Sequence, residues 1–253
     1  NQLTSTSFID MEYKPGDFNT LYGSTTNGSI YVSNNGGNNW TESFDQGNRV
    51  ELAVSPANSN YVYALVVNSS SALHGVYRST NSGTSFTLMY NNSNLLGWNS
   101  NGSGTSGQGW YDLALAVSPN NANTVVVGGI NTWRSTNGGS NWNIVNHWWG
   151  DGVPAVHADK HMLKFRSNGD LFECNDGGVY FSSNNGTTWT DKTNGIVISQ
   201  MYKLGISQSN SNEIITGLQD NGTKLISNGV WDDVKGGDGM ECLIDYTDIN
   251  IQY

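Results

Sequence analysis

The sequence predicts an all-β protein built from a repeated unit of four antiparallel strands. Its 253 residues include 35 Asn and 31 Gly, which favour turns and disfavour helix interiors. Four octets share the pattern Ser-x-Asn-x-Gly-x-x-aromatic, and their closing aromatic residues lie 46, 56 and 47 residues apart. That spacing is typical of four-stranded units repeated around an axis. The 11% of aromatic residues argue against a disordered chain.

Each octet is predicted to form the turn between the third and fourth strands of a unit. The Asn side chain closes the turn, the Gly adopts positive φ, and the aromatic ring packs back against the sheet. We therefore expect the four rings to be substantially buried. A fifth, weaker copy is predicted around 227–231. The octet residues are Ser33, Asn34 or Asn35, Gly37 and Trp40; Ser79, Asn81, Gly83 and Phe86; Ser135, Asn137, Gly139 and Trp142; and Ser182, Asn184, Gly186 and Trp189.

The strands before each octet complete the units in order. Third strands are predicted at 29–33, 75–79, 131–135, 178–182 and 223–227. First and second strands are predicted at 51–55 with 61–67, 112–118 with 124–129, 161–166 with 170–174, and 202–207 with 213–217, joined by Ser-Pro or Asn-rich turns. The units span about 7–45, 50–90, 112–146, 160–193 and 200–234, and 240–253 is interpreted as the start of another.

The octets resemble the Asp-box (BNR) repeat, Ser-x-Asp-x-Gly-x-Thr-Trp, of sialidases, family 74 xyloglucanases and the sortilin ectodomain. Every copy here has Asn in place of the usual Asp, a nearly isosteric change that keeps the turn chemistry. The resemblance implies a β-propeller, and the count of units implies a single fragment over 1–253 whose ring is incomplete, with about five blades and the start of a sixth.

Four segments of the second half resemble a bacterial family named for its BNR repeats or its likeness to glycosyl hydrolases, and related to sortilin. They are HADKH at 157–161, NDGGVYFSSNNGTTW at 175–189, GLQDNGT at 217–223 and GGDGM at 236–240. This resemblance implies a secreted propeller within a longer surface protein, and it implies no established activity. The remaining blades and domains of the parent chain are then expected partners.

The charge of the chain excludes one class of function. Acidic residues exceed basic ones by 21 to 11, and the net charge is −10. Such a chain is repelled by nucleic acid, so nucleic-acid binding is not expected. The sequence contains no apolar run of 18 residues, so membrane insertion is not expected. Few Lys and abundant Asn, Ser, Thr and Trp are typical of secreted bacterial proteins, which favours an extracellular or cell-surface location.

The order of the strands determines at which end of the sheets each polar connecting residue lies. In a four-stranded meander the turns between strands 1 and 2 and between strands 3 and 4 share one end, and the other connections share the opposite end. The opposite end is the predicted ligand-binding face. It should bring together His157, His161, Gln219 and Trp110 as binding residues and Asp159, Asp176, Asp220 and Asp238 as candidate catalytic carboxylates.

Two long insertions, 91–109 and 143–158, should project from the same face. Trp148 and Trp149 lie in the second insertion, between Gly-rich neighbours. They form either a platform on which a sugar ring stacks or an anchor buried between blades.

The HADKH segment is also a weak candidate for a metal site. On a strand, His157, Asp159 and His161 would point to the same side and offer nitrogen and oxygen ligands. A hydrogen-bonded cluster without metal is the simpler interpretation. A calcium ion bound by Asp176 or Asp220 is a further possibility, but no cofactor is required.

Three functions remain open at the level of sequence. The first is a recognition module that binds glycan or protein. The second is a glycoside hydrolase, which needs two facing carboxylates. Asp112 is a fifth candidate for these carboxylates, in addition to the four candidate catalytic residues named above. The third is a purely structural propeller of an adhesin. A sialidase is disfavoured because two of the four arginines, Arg78 and Arg134, occupy equivalent positions in the repeat, which leaves no arginine triad for a substrate carboxylate. Cys174 and Cys242 are not expected to form a disulfide.

Overall fold

The computed structural model describes residues 7–196 and 198–253, and the regular structure in those ranges is entirely β. The chain divides into two compact units, Asn1–Lys192 and Thr193–Tyr253. The first contains four antiparallel four-stranded sheets and the second contains one. The predicted all-β class with repeated four-stranded sheets is confirmed. The described residues form no helix, and therefore none that would cross a membrane.

Each sheet of the first unit is a meander in which consecutive strands are neighbours. Sheet 1 comprises β1 (Phe8–Lys14), β2 (Asp17–Thr25), β3 (Ser29–Ser33) and β4 (Thr41–Asp45), and sheet 2 comprises β5 (Val50–Val54), β6 (Val62–Val67), β7 (Leu73–Ser79) and β8 (Thr87–Tyr90). Sheet 3 comprises β9 (Ala114–Val117), β10 (Val125–Gly128), β11 (Thr132–Ser135) and β12 (Asn143–Asn146), and sheet 4 comprises β13 (Lys160–Phe165), β14 (Leu171–Asn175), β15 (Gly178–Ser182) and β16 (Thr190–Asp191).

The first strands of neighbouring sheets contact one another in the first unit, β1 with β5, β5 with β9 and β9 with β13. Apolar cores fill the spaces between successive sheets. Every residue of β6 is buried, as expected for a strand that is covered on both faces. The core between sheets 2 and 3 also takes in Leu95 and Leu96, which anchor the first long insertion.

The second unit contains sheet 5, formed by β17 (Met201–Ile206), β18 (Glu213–Leu218), β19 (Thr223–Ser227) and β20 (Val230–Lys235). The predicted fifth octet around 227–231 is wrong. Ser227 pairs directly with Val230, and Asn228 and Gly229 have φ of 51° and 81°, so a two-residue Asn-Gly hairpin replaces the octet turn. In the terminal segment Leu243 and Tyr253 exchange two backbone hydrogen bonds of 2.9 Å. Cys174 and Cys242 are both free thiols.

The four octets close identical turns, which we call the Asn-box turns (33–40, 79–86, 135–142 and 182–189). In the first, Ser33 Oγ donates to Asn35 Oδ1 at 3.0 Å and accepts from Gly37 N at 2.9 Å. Asn35 Oδ1 also accepts from Asn39 N at 2.9 Å, which identifies Asn35 as the octet Asn. The same bonds recur in the other three turns. The glycine at the fifth position has φ between 76° and 89° in all four.

The aromatic rings that end the Asn-box turns are only partly buried, so the expectation of substantial burial is wrong in degree. Trp40 Nε1 donates to Gly37 O at 3.0 Å, and Trp142 Nε1 donates to Gly139 O at 2.9 Å. One edge of the indole therefore stays at the turn while the other covers the sheet. Phe86, Trp142 and Trp189 each pack against a buried apolar core.

Basic side chains link each of the first three sheets to the Asn-box turn of the next. Lys14 Nζ donates to Ser82 Oγ at 2.9 Å, and Arg134 Nη1 donates to Asn185 O at 2.9 Å. Arg78 lies so close to Gly138 that a Cβ there would approach its Nη1 to 2.2 Å. The structural role predicted for Arg78 and Arg134 agrees with these contacts.

Candidate functional site

The candidate site lies in the first unit, at the end opposite the Asn-box turns. Asp112 comes shortly before β9, Asp159 directly precedes β13, and Asp176 directly follows β14. Lys160 pairs with Asn175 in the antiparallel register, so Asp159 and Asp176 flank that pair. The order of the strands alone therefore brings these three carboxylates to the same end of the sheets.

The side chains at this edge contact one another. His161 Nε2 lies 2.5 Å from Asp176 Oδ1 and 3.8 Å from Asp112 Oδ1. Gln108 Nε2, from the first long insertion, donates to Asp159 Oδ1 at 3.0 Å. We call these five side chains, Gln108, Asp112, Asp159, His161 and Asp176, the carboxylate cluster.

The electrostatics of the carboxylate cluster favour retention of a proton. Burial raises the pKa of Asp112 to about 7, with a further contribution from the Asp159 carboxylate. Burial also raises the pKa of Asp159, and the charge of Asp176 acts in the same direction. The carboxylates of Asp159 and Asp176 both favour the protonated form of Asp112.

We expect Asp112 to make the stability of the first unit depend on pH. Its pKa is higher in the folded state than in the unfolded chain, so its contribution to stability is present at low pH and is lost as pH rises through about 7. The free energy of unfolding of the wild type, minus that of Asp112→Asn, should fall between about pH 4 and 7 by on the order of 1 kcal/mol per pH unit and level off above pH 7. Denaturant unfolding of both proteins across this range measures the difference. Parallel curves would contradict a raised pKa at Asp112.

A buried ion pair lies beneath the carboxylate cluster. Lys160 and Glu173 are both fully buried, and Lys160 Nζ lies 3.7 Å from Glu173 Oε1. Lys160 Nζ also donates to Ile130 O at 2.9 Å and to His157 O at 2.5 Å. Burial lowers the pKa of Lys160, and the carboxylate of Glu173 opposes that shift. One buried ammonium group therefore holds the backbone carbonyl groups of Ile130 and His157 in place beneath the carboxylate cluster.

Glu173 is held by three neutral donors as well as by Lys160. Thr132 Oγ1 donates to Glu173 Oε2 at 2.7 Å and Asn146 Nδ2 donates to it at 2.9 Å. Asn175 Nδ2 donates to Glu173 Oε1 at 3.2 Å. This network connects sheets 3 and 4 and supports the edge that carries the site.

The two long insertions are tied together by buried polar side chains. Asn131 is fully buried, donates to Trp98 O at 3.1 Å, and accepts from Trp148 N at 3.2 Å. His147, also fully buried, donates from Nε2 to Trp98 O at 3.2 Å and accepts from Trp149 N at Nδ1 at 3.4 Å. These partners define the Nε2–H tautomer of His147.

This anchoring leaves two indole rings exposed. Trp148 and Trp149 retain 42% and 60% of their accessible surface, so the alternative of a buried loop anchor does not describe them. Their ring centroids are 4.2 Å apart with an interplanar angle of 66°. We call this pair the tryptophan platform. Trp98, on the first long insertion, and Trp110, directly after that insertion, are also half-exposed.

The HADKH segment departs from the prediction. β13 begins at Lys160, so His157 and Asp159 lie before the strand. Asp159 has φ of 64°, which breaks the alternation that would point all three side chains the same way. His157 packs against Gly177, where a Cβ would come within 2.4 Å of its ring. Among residues 7–196 and 198–253, neither His157 nor His161 belongs to a close group of three possible metal ligands, whereas Asp159 and Asp176 oxygens lie within 4.8 Å of each other.

The remaining predicted site residues lie in the second unit. Asp220 N donates to Asp238 Oδ1 at 2.9 Å, so these two residues are brought together as predicted. The Tyr202 hydroxyl donates to Gln219 Oε1, and Gln219 N donates to Gln200 O at 3.0 Å. Convergence of this group with the carboxylate cluster of the first unit stays a prediction.

Sequence reasoning missed three residues of the site. Gln108 was hidden in a Gly- and Ser-rich insertion, where no pattern distinguishes it. Lys160 and Glu173 were not among the predicted site residues. Glu173 lies between apolar residues in the strand sequence LFECN. A central strand is covered on both faces, so a carboxylate at this position indicates a buried partner.

The repeated four-stranded meanders place this chain in the β-propeller class. Solved structures with this architecture include GH74 enzymes, which match nearly the whole chain. The GH74 enzyme of Niastella koreensis is 21% identical, with a TM-score of 0.56 over 90% of this chain and 38% of its own. The GH74 xyloglucanase of Xanthomonas campestris is 17% identical, with a TM-score of 0.56 over 95% of this chain and 40% of its own. The chain therefore spans well under half the length of these enzymes.

A propeller of another kind is similar to the same degree. YCF48 of Cyanidioschyzon merolae is 12% identical, with a TM-score of 0.53 over 96% of this chain and 78% of its own. No protein-family model matches the sequence, and no curated protein is significantly similar to it. The comparisons thus establish the propeller fold, while the closer resemblance to Asp-box and sortilin-like proteins stays a prediction.

Proposed function

We propose that this protein is an extracellular recognition module within a larger secreted or cell-surface protein, and that it binds glycan at the tryptophan platform. The observation that carries the proposal is the exposure of Trp148 and Trp149 on a loop whose base is fixed by buried Asn131 and His147. Exposed aromatic rings present an apolar face on which the C–H groups of a sugar stack. A rigid base keeps the entropy cost of binding low.

The carboxylate cluster supports the same proposal. Asp159 and Asp176 offer oxygen acceptors for sugar hydroxyl groups, and Gln108 connects the cluster to the insertion that also supplies Trp98. Polar acceptors beside an aromatic surface are the usual composition of a saccharide site. A cation bound by Asp159 and Asp176 would add a further ligand for hydroxyl groups.

The alternative function, glycoside hydrolysis, is less well supported by the geometry. Hydrolysis with retention requires two carboxyl groups about 5–5.5 Å apart, and inversion requires about 6.5–9.5 Å. Asp112 is only 4% exposed, so it is withdrawn from the surface at which a substrate would bind. The raised pKa of Asp112 is the one feature that favours a general acid.

We expect Trp148→Ala and Trp149→Ala each to weaken glycan binding at least tenfold, because each removes a stacking surface. A glycan array identifies the ligand, and calorimetry with the best oligosaccharide measures the dissociation constant. Trp231→Ala is the matched control, since Trp231 is equally exposed but lies on β20 of the second unit.

The outcomes separate the three functions. Binding that depends on the platform, without release of reducing sugar from xyloglucan or other β-glucans, supports recognition. Release of sugar that is abolished by Asp112→Asn would establish the hydrolase instead. Absence of binding to every glycan on the array would contradict the proposal and favour a protein ligand or a structural module.

A further inference from the structure

A cavity of about 500 Å³ lies at the opposite end of the first strands of the first unit, away from the carboxylate cluster. It is lined by the last residues of β1, β5, β9 and β13 and by the turns that follow them. Its volume lies within the range of small-molecule sites. The cavity shares no side chain with the tryptophan platform or the carboxylate cluster.

One wall of the cavity is cationic. Lys164 lies on β13 and Arg166 directly follows that strand, and both line the cavity. Lys164 is exposed, and its charge acts on the carboxyl groups of Asp10 and Glu12. Arg166 Nη1 lies 4.0 Å from Asp170 Oδ2, and the Arg166 side chain is 63% exposed. Both cations are therefore accessible to a ligand.

Much of the remaining lining is apolar and aromatic. Tyr13 and Phe18 lie with ring centroids 5.1 Å apart at an interplanar angle of 38°, and both are exposed. Pro56 and Pro119 also line the cavity. A solvent-exposed group of aromatic and proline side chains within a concave surface favours a flat apolar body.

The cavity also contains one acidic group, Glu12 on β1. Burial raises the pKa of Glu12, with the Asp10 carboxylate adding to the shift, while Lys164 opposes it. Two cationic side chains thus stand against one carboxyl group whose ionisation is disfavoured. The wall formed by β13 retains its excess of positive charge.

We propose that this cavity binds an organic anion with an aromatic or alicyclic body. The ring system lies against Tyr13 and Phe18, and the carboxylate or sulfonate group pairs with Lys164 and Arg166. The chain carries a net charge of −10, so the cationic wall gives this cavity a charge opposite to that of the chain as a whole.

The probes for this site are 8-anilinonaphthalene-1-sulfonate, followed by its fluorescence, and 2-naphthoate, followed by calorimetry. Both should bind the folded chain at one site. Lys164→Gln and Arg166→Gln should each weaken binding at least threefold, and the double variant at least tenfold. Lys192→Gln is the control, because Lys192 lies outside the cavity, over the Phe181 ring. Thermal unfolding of each variant verifies that the fold is intact.

A neutral analogue tests whether charge recognition is involved. 2-Naphthylmethanol should bind at least tenfold more weakly than 2-naphthoate. Equal affinity for the neutral analogue, or unchanged binding by the Lys164→Gln, Arg166→Gln double variant, would overturn the proposal, as would failure of both anions to bind the wild type.

Discussion

Replacement of Lys160 by Met is expected to lower the free energy of unfolding of the first unit by about 3–5 kcal/mol. The substitution keeps the length of the side chain but leaves the fully buried Glu173 carboxylate without its cation. It also removes the donor to Ile130 O and His157 O. Chemical denaturation at pH 7, monitored by tryptophan fluorescence, measures the loss.

The second partner and a surface pair provide the controls. Lys160→Met combined with Glu173→Gln should recover at least about 1 kcal/mol relative to Lys160→Met alone, because the uncompensated charge is gone. Arg166→Met breaks the exposed contact with Asp170 and should cost less than about 0.5 kcal/mol. A loss below about 1 kcal/mol for Lys160→Met would show that the Glu173 carboxylate does not need its buried cation.

Truncation of Trp189 to Ala should cost about 3 kcal/mol, the lower end of the range for large aromatic residues, because the ring keeps some contact with solvent. Trp189 packs against the buried core that includes Leu163 and Leu171. It also lies 3.2 Å from the Cβ position of Gly186, so the ring closes its own turn. The measurement is the denaturant midpoint of the first unit.

Trp231→Ala is the control for Trp189→Ala. The octet pattern would make the two tryptophans equivalent, but Trp231 lies on β20 with 53% of its surface exposed. Its truncation should change stability by less than about 0.5 kcal/mol. An unchanged midpoint for Trp189→Ala would mean that the turn aromatics are surface decoration.

The repeated sheets could be predicted from the sequence because each octet contains all the chemical groups that its turn uses. Within each octet, Ser supplies a hydroxyl, Asn an acceptor and Gly a backbone with positive φ, and all three are used in every copy. The strands 29–33, 178–182 and 223–227 were predicted with the bounds that the structure shows. The prediction at 227–231 is wrong because an Asn-Gly pair also specifies a two-residue hairpin. This segment lacks the additional residues that separate Ser from the aromatic residue in the four octets.

The candidate site was less predictable because it depends on backbone conformations and on packing between insertions. Strand order correctly brought Asp159 and Asp176 to one edge. The positive φ of Asp159, which separates His157 from His161, has no clear signal, since Asp adopts that region only occasionally. The contact between Gln108 and Asp159 joins residues 51 positions apart through an irregular loop, which no periodicity describes.

The hydrogen-bonded geometry of the Asn-box turns affects how readily the protein deamidates. Asn-Gly sequences, which occur in these turns at 35–36, 137–138 and 185–186, lose ammonia when the glycine nitrogen attacks the side-chain carbonyl carbon and forms a succinimide ring. In the folded chain Gly36 N is engaged with Asn19 O at 2.9 Å, Gly138 N with Asn123 O at 2.9 Å, and Gly186 N with Ser182 Oγ at 2.8 Å. The Asn35 amide oxygen is held by Ser33 and Asn39, so the side chain is not free to rotate toward that nitrogen. The bonds that form the turn thus also protect its most labile dipeptides from deamidation for as long as the sheet remains folded.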